Sequence, residues 1–446
     1  MAVIDRPESG ARRTATDWDY ESVRDKRRRF LSPSLDTFAA FEKPLLLRRG
    51  EAQYVWDADG RRYLDCLAQN LCISVGYAHP AVTEAARAQM EAIQHVTTMY
   101  YHPAPAHFAE ELVARMPEGA DWVVHPVNSG AEAVDLAFLM ARLYTGCHEI
   151  LALRHSYHGL HFGAMAATGL SLCHQPVAAA PGFVHVDNPD QFRGAFGPGV
   201  APYVEALRRT IDTATSGRIA GLIAEPIQGY GGVVPLPDGY LAEAAEVVRG
   251  AGGLMIVDEV QTGFGRTGGH FWGSGWDGVV PDIAVMSKGI GNGWPLAAVV
   301  TRREIAETMS HHKFFNTYGS NPVAGAAGRA VLQVIDDEGL QENAKSVGAL
   351  FRAALERVQA RHECVGDVRG KGLMLGVELV RDRESNTPAP EIAGATQEGL
   401  RQEGVIVGRS GQHKNCLRVN PPLCVSEADA EHLERAFAAA VERATA

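Results

Sequence analysis

A single lysine, Lys288, interrupts the stretch "PDIAVMSKGIGNGWPLAAVV", between the apolar run Ile283 to Met286 and the apolar residues after Pro295. Charged side chains are seldom kept dry without a partner or a task. A desolvated lysine holds its proton less tightly and becomes an amine nucleophile toward a carbonyl carbon. The plainer reading is an ion pair with a nearby acid. Asp258 poses the same question at the end of the apolar run "GLMIV". It is suited to pairing with a protonated ring nitrogen; the plainer reading is a buried salt bridge, for instance with Arg266.

In open α/β sheets, ligands bind beyond the carboxyl ends of the strands, so the residues that follow each apolar run are compared. They are "NSGAEAV" from Asn128, "HSYHG" from His155, "EPIQG" from Glu225, "DEVQTGFGR" from Asp258, and "SKG". Ser129 and Gly130 stand at a strand–turn–helix junction, where free backbone N–H groups suit a phosphate; an ordinary N-cap with a turn glycine would read the same. Tyr157 can stack on a planar ring or simply fill a core, and His155 and His158 can be satisfied loop histidines. A phosphate cradle, a stacking aromatic, a carboxylate for a ring nitrogen and an amine nucleophile are together the requirements of pyridoxal 5'-phosphate, PLP. Neither the G-x-G-x-x-G of a dinucleotide site nor the G-x-x-x-x-G-K-[ST] of a triphosphate site is found.

These residues need a sheet to hold them. The runs "DWVVHPV", "HEILALR", "GFVHV", "AGLIAEP", "GLMIVDE", "DIAVMS" and "LAAVVT" alternate with amphipathic helical patterns such as "AEAVDLAFLMARLYTG" and "GYLAEAAEVVRGAG". Strands apolar on both faces predict a mostly parallel sheet covered by helices on both sides. Residues 1–70 read as an N-terminal arm followed by a hairpin turning at Asp57 to Gly60 and belonging to a small domain. Residues 71–330 form the large, cofactor-binding domain. Residues 331–446, with two long helical patterns around "GLMLGVELV" and "LRVNPPL", form a smaller α+β domain, and "RDRESNTPAPE" reads as a surface loop.

Composition narrows the function classes. The chain has 446 residues, too many for one compact core, and its net charge of -11 argues against a general nucleic-acid binder. Seven scattered cysteines without a C-x-x-C pair argue against a zinc site or disulfide framework and fit a reducing cytoplasm. No apolar run is long enough to span a membrane. The basic N-terminal segment, with Arg12, Arg13 and "RDKRRRF", is interrupted by acids, unlike a transit peptide. It reads as an arm meeting solvent or a partner subunit.

From about residue 45 onward the chain resembles class III, fold-type I PLP-dependent aminotransferases. The motifs are "NSGAEAVDLA", "YHG", "AEPIQG", "IVDEVQTGFGRTG", "SKGIGNGWPLAAV", "NTYGSNP", "VGDVRGKGLMLGVEL" and "LRVNPPL". "HFWG", "FRGAFG" and the stretch around Lys288 are most similar to the alanine–glyoxylate and 3-aminoisobutyrate–pyruvate branch. The resemblance implies a large domain with a mostly parallel seven-stranded sheet and a smaller α+β domain drawn from both termini. It implies that Lys288 carries PLP as a Schiff base, that Asp258 faces the pyridine nitrogen and that Gln261 contacts the ring's 3'-oxygen. Tyr157 would stack on the ring, with His158 beside the cofactor. Ser129, Gly130 and Ala131 would hold the phosphate, and Glu225 would join the catalytic set near Arg266 or the ring-side network. Thr317 would reach the neighbouring subunit's cofactor, which implies a homodimer with shared sites. Arg418 would grip a substrate carboxylate, a task suited to its planar fork.

The implied reaction moves an amino group from a small donor to a 2-oxo acid by a ping-pong route. Some phospho-lyases share the fold and motifs and form the rival reading, as does a non-catalytic PLP-fold protein, against which the intact Lys288, Asp258 and Gln261 speak. In relatives that use glutamate, the stretch after "EPIQG" opens with a glutamate able to neutralise the carboxylate-binding arginine. Here Tyr230 stands in that place. A phenol does not neutralise an arginine at pH 7, and its ring narrows the pocket, so pyruvate or glyoxylate is expected over 2-oxoglutarate. Gln69, Asn70 and Cys72 replace residues that are more often small or apolar in a segment lining the substrate entrance, which points to a specialised donor. Ser320 replaces a commoner glycine with little expected consequence.

Overall fold

The computed structural model describes residues 18–38 and 40–446. The seven apolar runs become the strands of one sheet: β1 Trp122–Val127, β2 Ile150–Leu153, β3 Phe183–Val186, β4 Gly221–Ala224, β5 Leu254–Asp258, β6 Ile283–Met286 and β7 Ala297–Arg302. Their order is β1-β7-β6-β5-β4-β2-β3. Only β7 runs antiparallel to its neighbours. Successive residues of a strand face opposite sides, and both sides are apolar. Ile256 and Val285 pack with Leu136 and Phe138 of helix Gly130–Thr145 on one face. Met255 and Val257 pack with Leu207 and Leu241 of helices Ala201–Ala214 and Tyr240–Gly250 on the other. Each such side chain, fully buried, contributes about 1.5–3 kcal/mol, which fixes the strand ends that carry the site.

Two smaller sheets complete the molecule. Strands Leu47–Glu51, Tyr54–Asp57 and Arg62–Asp65 form the expected hairpin region, joined in parallel by Val405–Ile406 from the far end of the chain. Strands Val365–Lys371, Met374–Leu379, Cys416–Val419 and Gly408–Ser410 form an antiparallel sheet. Leu355 and Val358 of helix Leu340–Arg361 share an apolar cluster with Leu433 and Phe437 of helix Glu427–Thr445.

The "RDKRRRF" segment is helical within Tyr20–Phe30, a helix with no buried residue. Arg12 and Arg13 lie outside the described residues. All seven cysteines are free. Among the described residues no helix is long and apolar enough to cross a membrane, and no acid, histidine or cysteine cluster could hold a metal ion.

Candidate functional site

The site gathers at the carboxyl ends of β1, β2, β4, β5 and β6. Lys288 follows β6 with φ 53°, in left-handed backbone that non-glycine residues rarely adopt. Its amine makes no hydrogen bond or ion pair among the described residues. Burial pushes its pKa down, opposed by Asp258, Cys72 and Glu225 and reinforced by Arg418. The lysine is thus surrounded by the groups that the sequence singles out, and the ion-pair alternative is not what is observed.

Asp258, 4% exposed, ends β5. Its Oδ2 lies 2.7 Å from His158 Nδ1, and its Oδ1 accepts from Val260 N at 3.1 Å. An ionised carboxylate accepts only, so Nδ1 carries the proton. His158 Nε2 is then left buried without a partner. The alternative pairing of Asp258 with Arg266 does not occur. Arg266 donates to the carbonyls of Leu373 and Pro421, and burial draws its pKa down to about 10. It does not meet Glu225 either; that half of the expectation is corrected.

Glu225, buried beyond β4, accepts from Tyr157 N and from Gly229 N, each at 2.9 Å. Desolvation raises its pKa to about 7, with His158 opposing and Asp258 adding to the shift. Its visible work is to hold two loops in place. Tyr157 is half-buried, its ring edge-on to Tyr230 with centroids 5.4 Å apart. Burial raises the Tyr157 phenol to about 12, so it is neutral at pH 7. Gln261 has a buried Oε1 without a partner, and its amide packs against Gly229, where a Cβ would come within 2.3 Å of Oε1.

Ser129 is the N-cap of helix Gly130–Thr145, its hydroxyl accepting from Glu132 N at 3.3 Å. The N–H groups of Gly130 and Ala131 meet no acceptor among the described residues. Glu132 folds back to accept from Asn128 N at 2.8 Å, and Asn316 Nδ2 donates to it at 3.2 Å. The sequence reading missed Glu132 and Asn316. The S-x-x-E spacing of a capping box could have found the first; nothing local marks the second. Thr317, next to Asn316, is exposed and makes no hydrogen bond among the described residues.

Arg418 is 4% exposed and pairs with no carboxylate among the described residues. Nη2 donates to Asn70 Oδ1 at 2.7 Å, Nε has no acceptor, and the guanidinium lies 5.5 Å from the Tyr230 ring centroid. Burial lowers its pKa, with Tyr230 and Cys416 opposing. Tyr230 therefore bridges the stacking tyrosine and the arginine. Asn70 is a second residue whose contact the sequence does not specify, although its unusual identity is visible there.

Orphaned buried polar atoms on Gln261, His158 and Arg418, an unpartnered lysine and free N–H groups at a helix start mark a polar ligand site. They fit the polar groups of PLP, which carries a phosphate, a ring nitrogen and a carbonyl carbon.

Residues 38–441 match the family model described as Aminotransferase class-III. The chain is 46% identical over 415 residues to the mitochondrial alanine–glyoxylate aminotransferase 2 homolog 2 of Arabidopsis thaliana, covering 93% of this chain and 86% of the relative. It is 39% identical over 446 residues to the human mitochondrial alanine–glyoxylate aminotransferase 2, covering 95% and 86%. It is also 37% identical to an ethanolamine-phosphate phospho-lyase homolog of Caenorhabditis elegans, covering 86% of each. Among solved structures, an (S)-enantioselective omega-transaminase from Thermomicrobium roseum superposes with TM-score 0.88 at 37% identity, covering 96% of this chain and 99% of that one. An amine transaminase from an uncultivated Pseudomonas species, solved with PLP, gives TM-score 0.85 at 32% identity, covering 93% and 97%.

Proposed function

This chain belongs to the class III aminotransferases, PLP-dependent enzymes of fold-type I, and on that premise we propose that it aminates a short 2-oxo acid, pyruvate or glyoxylate in preference to 2-oxoglutarate. The observation that carries the reading is Arg418, a buried guanidinium that no carboxylate among the described residues neutralises. It stays available to a substrate carboxylate in both half-reactions, and the Tyr230 ring beside it restricts chain length. Alanine or a short β-amino acid is the corresponding donor.

Bound PLP supplies an electrophilic carbon and a ring that takes up the electron pair released when a bond beside the amine nitrogen breaks. The Lys288 amine, desolvated and without a partner, serves as base and acid, moving a proton to and from the substrate carbon. Asp258, fixed by His158, would pair with a protonated ring nitrogen. Tyr157 and Gln261 would orient the ring, Ser129, Gly130 and Ala131 would hold the phosphate, and Glu225 holds the Tyr157 backbone. Donor and acceptor use the site in turn, a ping-pong order. Thr317, with no hydrogen-bond partner among the described residues, would serve the cofactor of a second copy in a homodimer. Inactive Lys288→Ala and Thr317→Ala proteins, mixed to exchange subunits, should recover activity. Seven free cysteines support a reducing, cytoplasmic setting. The parallel strand added by Val405–Ile406 supports grouping parts of 1–70 and 331–446 in one small domain beside 71–330, while helix Pro322–Asp337 runs through the 330/331 boundary.

The test is kcat/KM for pyruvate, glyoxylate and 2-oxoglutarate with one donor. The short acceptors should win, and Tyr230→Glu should shift the ratio toward 2-oxoglutarate. A wild-type preference for 2-oxoglutarate, or an unchanged ratio in the variant, rejects the reading. The phospho-lyase relative supports a second reading. Phosphate release from phosphoethanolamine without any 2-oxo acid would establish that one instead.

A further inference from the structure

Asn70 sits in a strained segment that no ordinary loop requires. Ala68, Gln69, Asn70 and Leu71 have φ of 48°, 49°, 60° and 65°, one turn of left-handed helix without a glycine. Such backbone costs L-residues about 1–2 kcal/mol each. The turn is paid for by Asp65, wholly buried, which accepts from Leu67 N at 2.9 Å, Ala68 N at 3.0 Å, Gln69 Nε2 at 3.3 Å and the Tyr77 hydroxyl. Strain held in this way at a site points to what it aims. It aims the Asn70 amide at Arg418 Nη2.

Among the described residues, the other surroundings of the guanidinium supply no acceptor. The Tyr230 ring lies on one side, and Gly408 leaves the space, since a Cβ there would come within 3.0 Å of Nη2 and 3.1 Å of Nε. Asn70 Oδ1 is thus the sole hydrogen-bond acceptor of the Arg418 guanidinium among the described residues. It is neutral, and it belongs to an exposed residue at the edge of the site.

We infer that Asn70 is a specificity-determining positioning residue: a neutral, displaceable partner that orients Arg418 while leaving its charge uncommitted. The inference rests on the reading of Arg418 as the carboxylate anchor. An arriving carboxylate takes Nε and Nη2 together and displaces Oδ1; rotation of the amide then offers Nδ2 as a donor to the same carboxylate. A donor without a carboxylate leaves Arg418 with the single neutral bond. The site therefore favours carboxylate-bearing substrates without a competing internal acid.

Asn70→Asp tests this, because aspartate tolerates left-handed backbone as asparagine does and changes only the charge. With the holoenzyme, KM for alanine should rise at least tenfold while kcat changes less than threefold. Single-turnover kcat/KM for 1-phenylethylamine, which has no carboxylate, should stay within threefold of wild type. Calorimetric binding of propionate to the unreacted holoenzyme should weaken at least tenfold, with the melting temperature unchanged. Equal losses for both amines, or an unchanged alanine KM, would overturn the inference. Arg418→Gln separates the two levels. If it spares alanine, the anchor reading itself fails; if it ruins alanine while Asn70→Asp leaves the alanine-to-amine ratio unaltered, only the role of Asn70 fails.

Discussion

Two arginines of one small sheet are buried to nearly the same degree and are treated in opposite ways. Arg369, 9% exposed, has Nη1 2.9 Å from Asp367 Oδ2 and 2.5 Å from Glu378 Oε2. Its Nε and Nη2 donate to the Gly232 carbonyl at 3.0 and 2.7 Å. Burial opposes its charge, yet Cys416, Glu378 and Asp367 more than offset that and raise its pKa. The Cys416 thiol is itself pushed up to about 12 by burial and is neutral at pH 7, so the carboxylates carry the attraction. Arg418, 4% exposed, has one neutral acceptor, and its pKa falls. The first arginine is a finished structural unit that ties down the loop bearing Tyr230. The second is unfinished, and a ligand completes it. Incomplete satisfaction of a buried charge, more than burial, separates the working region from its support.

The comparison breaks most decisively at Lys288, the other unfinished cation. Lys288→Ala should lower turnover at least about 10⁴-fold, the scale of losing an acting base or nucleophile. The apoprotein should melt no lower than wild type, because the deleted amine satisfies nothing. A clear loss of melting temperature would mean that the lysine is structural. Arg369→Met should act in reverse, destabilising by about 3 kcal/mol in denaturant titration, because Asp367 loses its cation and Glu378 is left with Arg193 alone. Arg418→Met should leave stability equal or higher. If both variants lose stability alike, the contrast is false. Asp258→Asn should keep the fold and lower kcat by at least about 10²-fold, on the scale of single catalytic groups.

The smallest effect concerns pH. The folded-state pKa of Glu225 is raised to about 7, so the native protein holds this proton more tightly than the unfolded chain does. Stability from that proton is complete below the usual glutamate range and is lost as pH rises through about 7. Glu225→Gln removes the loss. The melting-temperature difference, variant minus wild type, should therefore grow between pH 5 and 8, measured on apoprotein by calorimetry. A flat difference would mean that Glu225 does not titrate there.

Much of the scaffold is legible because physics writes it locally. Strands covered on both faces must be apolar throughout, so Ile150–Leu153, Gly221–Ala224 and Ile283–Met286 stand out as short apolar runs. Helix Gly130–Thr145 announces itself by its serine cap and by Gly146, which has φ 66°. Pairings between distant segments leave no such trace. His158 and Asp258 are 100 positions apart, and Asn70 and Arg418 are 348 apart. Arg266 looked like a partner for an acid, yet the fold gives it carbonyls instead. The left-handed turn at Ala68–Leu71 is invisible because glycine, its usual marker, is absent. Only the odd identities of Gln69 and Asn70 hint at it.

The parallel pairing of Arg62–Asp65 with Val405–Ile406 has a consequence for how the molecule is born. All strands of the large sheet lie between Trp122 and Arg302, so that sheet can close while the ribosome is still working. The strand that ends in Asp65 waits for a partner near the other end of the chain. Asn70 waits for Arg418 across 348 positions, which at bacterial-to-eukaryotic elongation speeds takes between about 17 and 70 s. During synthesis the nascent enzyme thus completes the platform for its chemistry well before it acquires the means to choose what it acts on.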